Sequence, residues 1–366
     1  MGNIVDYAKN TRVGFNKQPL NAVDSLILSQ LSYYHLPTAA KGILTWEGEK
    51  LSAMPAVCDY DAMLFDVWDP QQSRELLEVA AANPRYENIL VKGYEESTNA
   101  KDEKQFAAVT FQLSDDLFYV AFRGTDSTLI GWKENFNMAY RLPVPSQAEA
   151  VRYLKDAAEN CKGKIYVGGH SKGGNLAVYA AAFVGDDGVK NRLCKVYSHD
   201  GPGFLPDITA KEEYKSIERL IDKTVPGASL VGMLLDDPAT FKVVKSGRVG
   251  VLQHDPFSWK VSGGEFVYMS ELSGVARYND KTLNAWINSL SGEERRRLVN
   301  LIFDFLDSQD VFTTFDLKDS WQKSVFIALS GMSKTDKDAK KFFKKSVKRL
   351  ASIGIKNIPE LFKNKK

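Results

Sequence analysis

A chain of 366 residues, 44% apolar and 26% charged, is long enough for one large domain with an added subdomain. Its formal net charge of +2 provides no polyelectrolyte basis for nucleic acid as a partner. The three cysteines, Cys58, Cys161 and Cys194, are odd in number and widely spaced, so they point to neither a disulfide framework nor a zinc site and fit a reducing cytoplasm. Asp6, Lys9, Arg12, Lys17 and Asp24 break up the first thirty residues, which argues against a signal peptide, and no uncharged apolar run is long enough to span a bilayer. Gly2 lacks the serine or threonine at position 6 that myristoylation wants. A soluble, cytoplasmic protein is expected.

The first residues read as an irregular polar segment. Asn21 then caps a predicted helix whose Val23, Ile27, Leu31 and Tyr34 share one face and which Pro37 ends. His35, just past it in an aromatic setting, reads as structural. Residues 70–83 predict a second helix, closed by Asn83-Pro84. From Tyr86 the period becomes extended: runs at 88–93, 106–113 and 117–122, separated by turn formers such as Ser114-Asp115-Asp116, predict an antiparallel meander feeding a sheet. The last run ends in Arg123-Gly124-Thr125-Asp126-Ser127, followed by Gly131-Trp132. A sharp turn after a buried strand, ahead of a nucleophile turn, suits one half of an oxyanion hole, and the backbone amide of Thr125 is the candidate donor.

Residues 147–161 predict a helix with Ser146 and Glu149 as a capping box, Val151, Leu154, Ala158 and Cys161 as its buried face and Gly163 as its stop. Next comes a short apolar run, then Gly169-His170-Ser171-Lys172-Gly173, then a small-residue helix. That order is a nucleophile elbow, in which a strained turn holds a serine hydroxyl above the end of a sheet. Ser171 is the candidate nucleophile and the amide of Lys172 the second oxyanion donor. Helix, strand and elbow form a right-handed crossover, so the class is α/β with a mostly parallel, doubly wound sheet.

The predicted strand Leu193–Ser198 runs into His199-Asp200-Gly201-Pro202-Gly203, and Asp200 is the first candidate for the acid that orients a catalytic histidine. Asp222, on the next predicted strand, is the alternative, because either choice preserves the order serine, aspartate, histidine. His170 lies inside the elbow and His199 abuts the acid, which leaves His254, in a loop after a predicted strand at 249–252, as general base. Asp255 reads as a turn or cap residue, and Asp207, Asp236 and Asp237 as loop or lid charges. Residues 227–247 fit a lid or acyl-binding wall as well as an ordinary helix or strand. This chemistry requires no metal or organic cofactor.

Past Val267-Tyr268-Met269 the sheet signals stop and residues 281–330 predict helices, with Ser291 and Glu294 as a capping box ahead of Leu298, Leu301, Ile302 and Phe305. The expected organisation is a hydrolase domain over 1–280 and a helical appendix over 281–366. Lys334–Lys366 predicts a lysine-rich helix with Phe343, Val347, Leu350 and Gly354 along one side and Lys340, Lys341, Lys344, Lys345, Lys348 and Arg349 around the rest. It fits peripheral contact with an anionic membrane, or a solvated helix docked through one face.

Phe122-Arg123-Gly124-Thr125 with Trp132, then Gly169-His170-Ser171-Lys172-Gly173-Gly174, resembles the class 3 lipase pattern, in which the arginine-glycine turn carries the oxyanion residue. Asn3-Ile4-Val5-Asp6-Tyr7, Val23-Asp24-Ser25-Leu26-Ile27-Leu28, Asp200-Gly201-Pro202-Gly203-Phe204 and Gln253-His254-Asp255-Pro256-Phe257-Ser258-Trp259 resemble more closely a mostly Gram-positive bacterial family of lipase-like α/β-hydrolases known only as a domain of unknown function. The resemblance spans residues 3 to about 260 and implies an α/β-hydrolase fold and acyl-ester chemistry. Class 3 lipases keep their acid nearer to where Asp222 stands, and usually have leucine where this chain has Lys172, which sets a charge beside the acyl site. The expected activity is a serine esterase of lipase-like type acting on a small-molecule or lipid ester. A thioesterase or peptidase would use the same residues, and a catalytically silent binding or scaffold protein is the alternative from another class.

Overall fold

The computed structural model describes residues 1–36, 41–57, 59–235, 238–307 and 337–362. Two asparagines start its first helices. Asn3 accepts from the amides of Val5 (2.9 Å) and Asp6 (3.3 Å) while Asp6 takes the Asn3 amide (2.9 Å), which nucleates α1, Ile4–Asn10. Asn21 and Asp24 repeat the device at α2, Ala22–Leu31. The irregular opening expected from polarity is therefore corrected: side-chain capping makes it helical. The predicted run of α2 as far as Pro37 is corrected too, since the helix stops at Leu31 with Ser32 as its C-cap, and Pro37 lies outside the described residues. Residues 23–31 are all buried, because α2 lies between the sheet and the helices outside it. Asp69 caps α3, Pro70–Ala81, by accepting the Gln72 amide at 3.0 Å.

The strands in chain order are β1 (Glu49–Lys50), β2 (Leu90–Asn99), β3 (Lys104–Ser114), β4 (Leu117–Phe122), β5 (Lys164–His170), β6 (Leu193–His199), β7 (Ile221–Pro226), β8 (Phe241–Val244), β9 (Val261–Ser262), β10 (Glu265–Phe266) and β11 (Tyr268–Met269). Nine of them form one sheet in the order β1-β2-β3-β4-β5-β6-β7-β8-β11, and β9 and β10 pair apart. From β4 to β8 every pairing is parallel, and the meander β1 to β4 and the edge strand β11 are antiparallel. Among the described residues the remaining helices of six residues or more are α4 (Leu129–Asn137), α5 (Pro145–Asn160), α6 (Lys172–Phe183), α7 (Glu212–Ile217), α8 (Gly274–Asn288), α9 (Gly292–Asp307) and α10 (Lys337–Asn357).

One face of the sheet buries Phe122, Val167 and Val196 against Leu154 of α5, Leu176 and Ala180 of α6 and Tyr214 of α7. The other buries Tyr119, Ala121 and Tyr197 against Leu28 of α2, Trp259 and Phe266. This is the α/β-hydrolase fold, its parallel centre covered on both sides. The capping box predicted for α5 is corrected. Pro145 opens that helix two residues earlier, Gln147 Oε1 takes the Val144 amide (3.0 Å), and the Ser146 amide goes to Glu134 (2.8 Å).

At the C-terminal side the Ser291–Glu294 box forms as read, with bonds of 2.9 and 3.1 Å. The boundary expected at residue 280 falls inside α8. Of the helical stretch expected over 281–330, residues 308–330 and the Phe305 side chain lie outside the described residues. Among the described residues no helix is long and apolar enough to cross a membrane.

The N-terminal layer is held by a buried ion pair. Arg85 grips Asp24 with Nε to Oδ1 at 2.8 Å and Nη2 to Oδ2 at 2.6 Å, both side chains have no exposure, and Tyr86 adds a bond of 2.6 Å. Arg85→Met leaves the Asp24 carboxylate buried without its cation, so urea unfolding is expected to lose about 3–5 kcal/mol. A loss below about 1 kcal/mol would show that the pair does not anchor this layer.

Candidate active site

Strand β5 ends at His170, and the next residue turns sharply. Ser171 has φ 56° and ψ −130°, a conformation that costs a residue with a side chain about 1–3 kcal/mol, and it is the N-cap of α6. The turn closes because Gly173 has no side chain: a Cβ there would lie 2.0 Å from the Phe122 carbonyl oxygen at the end of β4. On its other side the Ser171 amide donates to the His199 carbonyl at 2.9 Å.

Asp200 follows β6 as Ser171 follows β5, and it too has a positive φ, 51°. Its carboxylate is fully buried and multiply bonded. Oδ1 accepts from Ser229 Oγ (2.5 Å) and the Gly232 amide (3.1 Å), and Oδ2 lies 2.6 Å from His254 Nδ1. The loop supplying those donors is tied to α8, where Asn284 accepts the Leu235 amide (2.9 Å) and donates to the Met233 carbonyl (2.8 Å). Asp222 has other partners. It lies across from Tyr197 within β7 and meets Lys242 at 3.0 Å and Lys195 at 3.2 Å. Burial pushes its carboxyl up, but the two lysines outweigh this and hold it below the ordinary range. The structure thus brings Asp200 to His254 and leaves Asp222 with lysines.

The strand predicted at 249–252 is corrected. Gly250 turns at φ 58° and Gly250–His254 is a short 3-10 helix with Val249, Val251 and Leu252 exposed, so the alternating apolar pattern has no sheet edge to pair with. Three bonds hold this loop over the elbow: Trp259 Nε1 to the Gln253 carbonyl (2.9 Å), the Ala228 amide to Gln253 Oε1 (2.7 Å) and His170 Nε2 to the His254 carbonyl (2.9 Å). Asp255 caps the next turn through the Phe257 amide at 3.0 Å.

His170 is a support. Because its Nε2 donates to a carbonyl, its Nδ1 accepts from Tyr33 OH at 3.0 Å, and its ring centre lies 4.5 Å from that of His254. Burial first, and then His254, hold its pKa well below the usual histidine value. His199 is buried against Ser25 Oγ (2.8 Å), and burial pushes its pKa down to about 3. Both rings are neutral at pH 7, and His254 is the imidazole paired with a carboxylate at the elbow.

The turn after β4 packs on the elbow. A Cβ at Gly124 would lie 1.9 Å from Tyr33 OH and 2.7 Å from the His170 carbonyl, which places Thr125 next to the serine turn, with its Oγ1 accepting from Asn135 at 2.6 Å. Lys172 is the first residue of α6, where an amide has no acceptor inside the helix. The charge expected beside the acyl site is absent from it. Lys172 Nζ is wholly buried and donates to the Gln105 carbonyl (2.5 Å), Gln105 Oε1 (2.7 Å) and Glu134 Oε2 (3.0 Å) of α4. Arg123 turns inward to Glu96 at 2.5 Å, and that carboxylate also takes Tyr94 and His35 (3.0 Å). Burial raises the Glu96 carboxyl, but His35, Arg123 and Tyr94 together bring it down to about 2.

Tyr33, Ser229, Glu134 and Asn284 escaped the sequence reading, because each meets its partner across 29 to 137 residues and carries no motif. Among the described residues no group of histidine, cysteine and carboxylate side chains is placed to hold a metal.

Residues 80–304 match the family model described as Mbeg1-like. No curated protein matches the chain in sequence. Among solved structures the chain is similar to a mutant form of MDLA from Penicillium cyclopium (16% identity, 67% of this chain and 83% of that chain, TM-score 0.39). It is also similar to a Rhizomucor miehei lipase propeptide complex (15%, 64% and 76%, 0.35) and to lipase II from Rhizopus niveus (14%, 60% and 80%, 0.31).

A histidine whose folded pKa is lowered to about 3 stabilises the fold fully above its unfolded value of about 6.5, and that stability drains away as pH falls between the two. Removing the titration in His199→Gln should flatten the dependence of urea-unfolding free energy between pH 5.5 and 4.5 by about 1.4 kcal/mol per pH unit. Equal slopes in wild type and variant would sink this account.

Proposed function

The chain belongs to the Mbeg1-like family, and from that premise we propose that it is a serine hydrolase that cleaves carboxylic esters through Ser171, His254 and Asp200. The observation that carries this reading is the 2.6 Å contact between buried Asp200 Oδ2 and His254 Nδ1, in a loop clasped by the neighbour of a serine in elbow conformation. With Nδ1 engaged, Nε2 of His254 is the nitrogen that takes the Ser171 proton as Oγ attacks the acyl carbonyl. Asp200 holds the imidazole in that tautomer and offsets the imidazolium charge. The amides of Thr125 and Lys172 receive the oxyanion. As the tetrahedral adduct collapses, the same Nε2 protonates the leaving alkoxide. Water then repeats the sequence on the acyl-enzyme and releases the acid.

The surroundings favour an apolar acyl group. Val249, Val251 and Leu252 stand exposed just ahead of His254. Trp132 is 37% exposed and Phe65 66%, the latter beside Asp66, which accepts from Ser127 of the Thr125 turn at 2.7 Å. The Lys172 charge is neutralised inside the protein, so it does not oppose an apolar chain.

Wild-type protein is expected to hydrolyse p-nitrophenyl esters and to be labelled by a fluorophosphonate. Ser171→Ala should lose both, Asp200→Asn should lower kcat about 10⁴-fold, and Asp222→Asn should leave turnover near wild type. Collapse in Asp222→Asn alone would move the acid to β7. A wild-type chain with neither turnover nor label would make the protein a silent binding module. In the acyl site, Val251→Ser with Leu252→Ser should raise KM for an octanoyl ester about tenfold and leave the acetyl ester unchanged; equal effects on both would place the acyl chain elsewhere.

A further inference from the structure

Helix α10 is docked on α8 by its small side. Ala339, Ser346 and Gly354 are buried, Trp286 Nε1 donates to the Ser346 carbonyl at 3.0 Å, and a Cβ on Gly354 would lie 2.7 Å from Tyr278 OH. The turn that follows is pinned as well, since Glu360 is buried against Lys281 (2.8 Å) and Gly274 fits beneath the Leu361 carbonyl. The helix therefore cannot roll to hide its other face.

At 100° per residue that other face carries Lys337, Lys341, Lys344, Lys345, Lys348 and Lys356. All six are exposed, and among the described residues none pairs with a carboxylate. Arg349, at the edge, instead turns inward to the Ser289 carbonyl at 2.7 Å. The only acidic residue within α10 is Asp338, in its first turn. The lysine stripe ends in an apolar tip. Ile355 is 69% exposed, Ile358 44% and Phe362 78%.

We propose that this face docks on an anionic lipid bilayer, with the lysines at the level of the headgroup phosphates and Ile355, Ile358 and Phe362 entering the acyl boundary. A row of unpaired ammonium groups is complementary to a negative surface, and each adds roughly fivefold to binding there. The tip selects lipid over other polyanions, because duplex nucleic acid would satisfy the lysines and leave three apolar side chains in water. The proposal is independent of the ester-hydrolase reading and stands or falls by binding alone.

The test is co-sedimentation of the full chain with phosphatidylcholine vesicles, with and without phosphatidylglycerol. Binding should require phosphatidylglycerol and weaken with salt. The quadruple variant Lys341→Gln, Lys344→Gln, Lys345→Gln, Lys348→Gln, whose changes are all on the exposed face, should bind about a hundredfold or more weakly with unchanged thermal unfolding. Ile355→Ser with Phe362→Ser should weaken binding and leave its salt dependence in place. Three results would overturn the proposal: equal binding to both vesicle types, wild-type affinity in the quadruple variant, or displacement from the vesicles by duplex DNA that binds the Ile355→Ser, Phe362→Ser variant as tightly as wild type.

Discussion

The backbone at Ser171 stands where a residue with a side chain is disfavoured, and it stays there because its surroundings leave no alternative. Gly173 is pressed on the end of β4, Gly124 on the carbonyl of His170, and the Ser171 amide is spoken for by His199. The nucleophile turn and the turn carrying Thr125 are thus one packed unit. Lys172 extends it: its buried ammonium joins the first residue of α6 to β3 and, through Glu134, to α4 and the start of α5. A charge that in the linear chain sits beside the proposed chemistry is used in the fold to clamp the elements around it.

Parallel pairing does the rest of the placement. His170 is in register with His199, so Ser171 and Asp200 leave the sheet side by side, each with a positive φ. Two neighbouring strand ends with the same sharp exit put the proposed nucleophile and acid within reach of one loop. That loop, around His254, has little regular structure of its own and is held by Trp259, Gln253 and His170. Rigidity in the sheet and a loop fixed by a few bonds together make a preorganised imidazole-carboxylate pair.

Helix α8 connects this centre to the C-terminal helices. Asn284 on α8 orders the loop whose Ser229 and Gly232 bond Asp200, and Trp286, two residues later, seats α10. The helix that bears the lysine face and the loop that bonds the acid of the proposed triad are therefore both tied to α8, although the lysines and Asp200 lie 137 residues or more apart in the chain.

Much of this was legible in sequence because it depends on near neighbours. Glycines around a serine between an apolar run and a small-residue run specify an elbow, alternation specifies the meander, and Asn21 with its apolar partners specifies a helix start. The same local logic misread residues 249–252, whose alternation suits a strand, and residues 4–10, whose polarity hid a capping box. It ranked Asp200 ahead of Asp222 but chain order could not decide between them, since both precede His254. Only assembly separates them, by placing Lys195 of β6 and Lys242 beside one and His254 beside the other. The sequence by itself determined most of the elements, their order and the residue types available for chemistry. The tertiary structure decided which carboxylate meets the imidazole and where the Lys172 charge goes, because hydrogen bonds and ion pairs are made between groups close in space, and those here are far apart along the chain.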